Sequence, residues 1–101
     1  MILVDALMKY PTEVTKGLPG QTWCHMVSDL DMDELHAAAR FIGCKREWFQ
    51  GDHYDLTPRR RREAVENGAV EVTSRELLLR MAGERGDRVR ARIAARAGRT
   101  A

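Results

Sequence analysis

The sequence predicts an α/β domain: a small three-stranded parallel sheet, ordered β-α-β-α-β-α, with helices packed on it in a Rossmann-like arrangement. Three observations predict it. Short runs at residues 2–7, 47–50 and 69–72 are apolar or aromatic enough for buried strands. Segments near 32–42, 58–67 and 74–82 carry apolar residues at helical spacing. Each of these segments starts on a side chain suited to cap a helix, Asp31, Thr57 or Thr73. Strands alternating with helices call for right-handed crossovers and parallel pairing.

Ile2-Leu3-Val4-Asp5-Ala6-Leu7 is the most apolar run and suits the centre of the sheet. Its one acid, Asp5, needs a partner or a place at the strand end. It either caps the following turn or serves as a ligand or base at the sheet's carboxyl edge. Residues 8–28 hold no period and contain turn signals at Tyr10-Pro11, Gly17 and Leu18-Pro19-Gly20. Their second half, Trp23-Cys24-His25-Met26, is too apolar for disorder and is expected to fold back over the sheet edge as a loop. In the first helix, Asp31 and Glu34 have capping-box spacing, Leu35, Ala38, Ala39 and Ile42 form the stripe, and Gly43 ends it. Glu47-Trp48-Phe49-Gln50 is expected to be the second strand, and Thr57-Pro58 opens the second helix. Arg59 to Arg62 then stand where basic charge opposes the helix dipole. They form a solvated face, or one or two of them turn to an anion. Ala69-Val70-Glu71-Val72 is the third strand, and Thr73 with Glu76 opens the third helix, whose stripe ends at Met81.

At 101 residues the chain fits one domain, residues 1–83, followed by an arginine-rich tail or helix, 84–101. The net charge of +2 is too small to imply nucleic acid by itself. The excess sits in the tail, where Arg85, Arg88, Arg90, Arg92, Arg96 and Arg99 face only Glu84 and Asp87. Nucleic-acid binding through that tail and a homodimer are both compatible with this pattern. Cys24 and Cys44 form no CxxC pair, which fits a reduced, cytoplasmic setting. No stretch approaches the ~20 apolar residues of a membrane span.

The candidate site is the turn Trp48-Phe49-Gln50-Gly51-Asp52-His53-Tyr54-Asp55-Leu56-Thr57-Pro58. It lies between strand and helix, where open α/β sheets place ligands. It holds more polar side chains than turn closure requires. Gly51 gives flexibility and Thr57 caps the helix, so Asp52, His53 and Asp55 are not all needed locally. Two readings stand. Asp55 makes an Asx-type bond and His53 is exposed, or both share a cleft with Asp5 and His25. In the second case His53, Asp55 and Asp5 are the catalytic and metal-holding candidates. Trp23, His25, Gln50, Tyr54, Arg59 and Arg75 are the substrate-binding candidates. Carboxylates, imidazole and arginine together suit a divalent ion (Mg²⁺, Mn²⁺ or Zn²⁺) working on a phosphate ester. No Walker-type or dinucleotide glycine loop and no GxSxG elbow is present.

The runs WCHMVSD, DELHAAARFIGCKREWFQGDHYDLTP and GAVEVTSREL resemble the small bacterial and phage family called DUF4031, a domain of unknown function. The resemblance covers roughly residues 1 to 82. It implies that Asp5, Trp23, His25, Asp29, His53, Tyr54, Asp55, Arg75 and Glu76 occupy motif positions. It implies a compact fold and no particular activity.

Two functions compete at this point. One is a metal-dependent hydrolase acting on a phosphate-containing, nucleotide-like small molecule. The other is a non-catalytic binding module for a nucleotide, nucleic acid or protein partner, such as a phage accessory or inhibitor protein.

Overall fold

The computed structural model describes residues 1–10 and 22–100, with side chains through Gly98. The described elements are β1 (Ile2–Val4), β2 (Met8–Lys9), β3 (Thr22–Ser28), α1 (Met32–Phe41), a 3₁₀ turn (Arg46–Trp48), β4 (Tyr54–Leu56), α2 (Pro58–Glu66), β5 (Val70–Glu71), α3 (Ser74–Arg80) and α4 (Glu84–Thr100). They form a mixed α/β fold around a five-stranded sheet. No described helix is long and apolar enough to cross a membrane.

The sheet is not three parallel strands. Its spine is β3, the segment expected to be a loop. β3 pairs antiparallel with β1 and β2 along one edge and with β4 along the other. Among the described residues, parallel pairing is confined to β1 and β5. A Rossmann-like order would require it throughout. The expected second strand at 47–50 is also absent: its first residues form the 3₁₀ turn, and the strand comes later, at Tyr54–Leu56. The aromatic content of Trp48-Phe49 has another cause. The Trp48 ring lies under the Arg60 guanidinium (5.3 Å) and the Lys45 ammonium (5.9 Å), while Phe49 packs on His36 and Tyr54.

The helices lie where the caps place them. Asp31 accepts from Glu34 N (2.8 Å), Thr57 from Arg60 N (3.4 Å) and Thr73 from Glu76 N (3.0 Å). α1 and α2 cover one face of the sheet. There Val4, Cys24, Met26, Tyr54 and Leu56 meet Leu35, Ala39, Ile42 and Ala64. On the other face, Leu3 and Val27 pack against Leu77 and Met81 of α3 and the residue after it. Side chains alternate between faces along a strand. His25, one residue from Cys24 and Met26, therefore shares the α3 face with Val27. In β4, Asp55 lies between the buried Tyr54 and Leu56 and shares that face too.

α4 is a separate helix packed on α3. Gly86 is buried, and a Cβ there would stand 2.1 Å from the Met81 carbonyl oxygen. Arg90 Nη1 donates to the carbonyls of Leu79 (3.0 Å) and Met81 (2.9 Å), the carbonyls left open where α3 ends. Cys24 and Cys44 are both free and buried.

Candidate metal centre

The centre begins with a bulge. β1 pairs Val4 with Met26, and β2 pairs Met8 with Trp23. Asp5, Ala6 and Leu7 therefore face only Cys24 and His25, one residue too many for a flat ladder. Asp5 N still donates to His25 O (3.3 Å), and the bulge brings the Asp5 side chain back onto His25. Asp5 Oδ1 accepts from His25 N (2.7 Å), and Oδ2 accepts from His25 Nδ1 (2.8 Å) and Ser74 Oγ (2.9 Å). Arg61 Nε holds the Asp5 carbonyl (2.8 Å). Asp5 is only 1% exposed, yet it is fully partnered. Burial pushes its carboxyl pKa up; the bonds from His25 and Ser74 outweigh this and hold it below the usual carboxylate range.

Across β3, the register sets Asp55 of β4 directly opposite His25. His53 arrives from the turn before β4, which Gln50 N closes onto His53 O (2.9 Å) with Gly51 at φ +85°. His53 Nδ1 lies on Asp52 Oδ1 (2.7 Å), and the Arg85 fork holds Asp52 through two bonds of 3.1 Å. Gln50 Nε2 donates to Asp55 Oδ2 (2.7 Å), which leaves Oδ1 as the oxygen turned to the histidines.

Each imidazole thus has Nδ1 on a carboxylate and Nε2 turned inward. His53 Nε2 is 3.5 Å and His25 Nε2 3.9 Å from the same atom, Asp55 Oδ1. The rings meet edge-on, 5.4 Å between centroids. An Nδ1–H donated outward leaves a lone pair on Nε2. Two such lone pairs and a carboxylate oxygen face one another, an arrangement that a cation between them would relieve. One proton on His53 is the minimal answer. The bond to Asp55 raises the His53 pKa against the opposing effect of burial, with Asp52 adding to the rise. For Asp55, burial acts upward, but His53 and Gln50 hold the carboxyl below its usual range.

The same cluster is one that could hold a metal ion. One donor atom from each of His25, His53 and Asp55 lies within 4.8 Å of the others. Donors about 2.1 Å from a tetrahedral ion are separated by ~3.4 Å, so closure needs only a small contraction. A three-ligand set of this kind would leave a position open for water or substrate. Carboxylates behind both histidines fix the tautomer that presents Nε2, as at known metal centres.

The structure brings some of the sequence's candidates together and leaves others apart. Asp5 lies outside the His25, His53 and Asp55 cluster, with both its oxygens engaged by His25 and Ser74. His25, expected to touch substrate, belongs to the cluster that could hold a metal. Tyr54 points to the opposite face, where it is buried with its hydroxyl on His36 Nδ1 (2.9 Å), so it cannot wall the cleft. Arg59 is 81% exposed and pairs with Glu63. Arg75 is exposed on the first turn of α3. Asp29 pairs with Arg80 (3.2 Å), three residues beyond Met26 on the chain and away from the centre. Trp23 and Gln50 do border it. With Glu47, Trp48, Asp55, Thr57 and Arg60 they line a cleft of about 530 Å³ that shares Asp55 with the centre.

Arg85 and Tyr10 were not singled out for the site by the sequence, and Ser74 and Arg61 were not distinguished from their neighbours in Thr73 to Glu76 and Arg59 to Arg62. Ser74 follows the capping Thr73 and reads as part of that cap. Arg85 reads as tail charge. Tyr10 reads as half of a turn signal, yet burial and then the charges of Asp5 and Asp55 raise its pKa. The thiol of Cys24, pushed up to about 12 chiefly by burial, is no nucleophile at neutral pH.

A mixed α/β sheet carrying a two-histidine, one-carboxylate cluster beside a bulge defines the class. The chain belongs to the family described as protein of unknown function (DUF4031), whose sequence model matches residues 3–84. No curated protein and no solved structure matches it.

Proposed function

We propose that the chain is a metal-dependent hydrolase of a phosphate ester, with a divalent ion on His25 Nε2, His53 Nε2 and Asp55 Oδ1. One observation carries this reading: both imidazoles turn Nδ1 onto a carboxylate and Nε2 onto one oxygen of Asp55. Two nitrogens and one oxygen suit Zn²⁺ or Mn²⁺ better than Mg²⁺, which prefers oxygen ligands and keeps its waters.

The open position supplies the chemistry. An ion held by His25, His53 and Asp55 would lower the pKa of a bound water toward neutral and would polarise a phosphoryl oxygen. In the net reaction water would add to phosphorus, the ester P–O bond would break, and the leaving oxygen would take up the proton that water gives up. The chain's part is to hold the ion rigidly. Asp5 and Asp52 orient the imidazoles, and Gln50 fixes the carboxylate. The neighbouring cleft, with Trp23, Trp48 and Arg60 on its walls, supports an aromatic, nucleotide-like leaving group.

The test is turnover of a nucleoside monophosphate and a nitrophenyl phosphate with Zn²⁺ or Mn²⁺. Asp55→Asn is expected to lower the rate at least about a hundredfold without unfolding the protein. Metal-independent turnover, or turnover unchanged by Asp55→Asn, contradicts the reading.

A further inference from the structure

The two histidines are backed unequally. Asp5, behind His25, is buried and held from within the sheet and by Ser74. Asp52, behind His53, sits on a turn with its side chain 21% exposed. Its bonds beyond His53 come from Arg85 of α4, with Nε on Oδ2 and Nη2 on Oδ1, both 3.1 Å. That planar fork fixes the carboxylate plane as a single-point cation would not.

A second contact ties the same segments together. The link between α3 and α4 passes close to this turn, so that a Cβ on Gly83 would lie 3.9 Å from Asp52 Cβ. Gly83 has φ +108°, a conformation that glycine reaches without strain. It turns the chain so that α4 starts beside Asp52. Arg85 is the first residue past the stretch that the family's sequence model matches.

We propose that Arg85 is a positioning residue for the ion: it holds Asp52, Asp52 holds His53 Nδ1, and His53 Nε2 is thereby aimed at Asp55. The docking of α4 then sets how tightly the centre binds metal. This rests on the reading of the centre as a metal site, but part of it can be tested without metal.

The experiment uses the full chain and its Arg85→Ala and Arg85→Lys variants. Each is titrated with Co²⁺, followed by the visible absorption of the bound ion, and the metal-free ¹⁵N signals of both imidazoles are recorded. Arg85→Ala is expected to weaken Co²⁺ binding about tenfold. It should shift the His53 ring signals and leave those of His25 in place. Arg85→Lys, with charge but no fork, should recover part of the affinity. Asp52→Asn should reproduce the loss, and it decides the matter should Arg85→Ala melt much lower than the parent. Unchanged affinity together with unchanged His53 signals in Arg85→Ala overturns the proposal. If the parent binds no metal but Arg85→Ala still moves the His53 signals, the positioning role stands and the metal reading falls.

Discussion

Asp5 and Asp55 each stand beside an imidazole on the same face of the sheet, and they do different work. Asp5 has both oxygens on protein donors, with 1% of its surface exposed. Removing it leaves His25 N and Nδ1 without their acceptor in the interior, so Asp5→Ala is expected to cost about 3 kcal/mol, read by denaturant melts. Asp55 has one oxygen on Gln50 and one turned toward two imidazoles. Asp55→Asn should change stability far less while abolishing metal binding. The pH response follows from the shifts. Asp5 and Asp55 titrate below their usual range, so their contribution is present above about pH 4 and is lost as acid protonates them in the fold. His53 titrates above its usual value, so its contribution is full below about pH 6.5 and is lost as pH rises through the folded value. Thermal melts of the metal-free protein should therefore peak between these limits and decline above them. Added Zn²⁺ should remove the alkaline decline, because the ion takes the neutral imidazole. At this scale the sequence was informative where polar residues exceeded local need, as at Gln50-Gly51-Asp52-His53-Tyr54-Asp55. It was uninformative about which atoms turn inward, since that depends on partners distant in the chain such as Ser74 and Arg85.

Helices were legible as elements because their caps are local. Asp31, Thr57 and Thr73 each bond a backbone N–H three residues on, within one turn. β3 was hidden because both its faces are covered. Trp23, His25 and Val27 alternate with Cys24, Met26 and Ser28, giving no clean apolar–polar pattern, and turn residues precede it. The antiparallel pairing followed from that omission, since a loop cannot stand between β1 and β4. Gly86, in the first turn of α4, is a helix packing contact. Gly86→Ala would drive a methyl into the Met81 carbonyl and side chain. The overlap outweighs alanine's roughly 1 kcal/mol helix advantage, so a net loss of about 1–3 kcal/mol is expected in thermal melts. It should also weaken metal binding if α4 steadies the centre through Arg85. A stabilised Gly86→Ala protein would contradict the packing described.

Across the whole molecule, one sheet separates two cores, and the centre sits on the α3 face where β3, β4 and the bulge meet. Its three candidate ligand atoms come from two neighbouring strands and the turn that leads into one of them, so the fold and not the loop alone sets their spacing. The family relationship, legible in WCHMVSD and GDHYDLTP, covers this whole arrangement except Arg85. It names no activity, so the chemistry has to be read from the geometry. Calorimetric titration of Zn²⁺ into the full chain near pH 7.5 tests that geometry most directly. One ion per chain is expected, with binding lost in His25→Ala, His53→Ala and Asp55→Asn while each variant keeps its fold. Absence of stoichiometric binding to the parent, or binding that survives all three substitutions, would contradict the assignment of the centre.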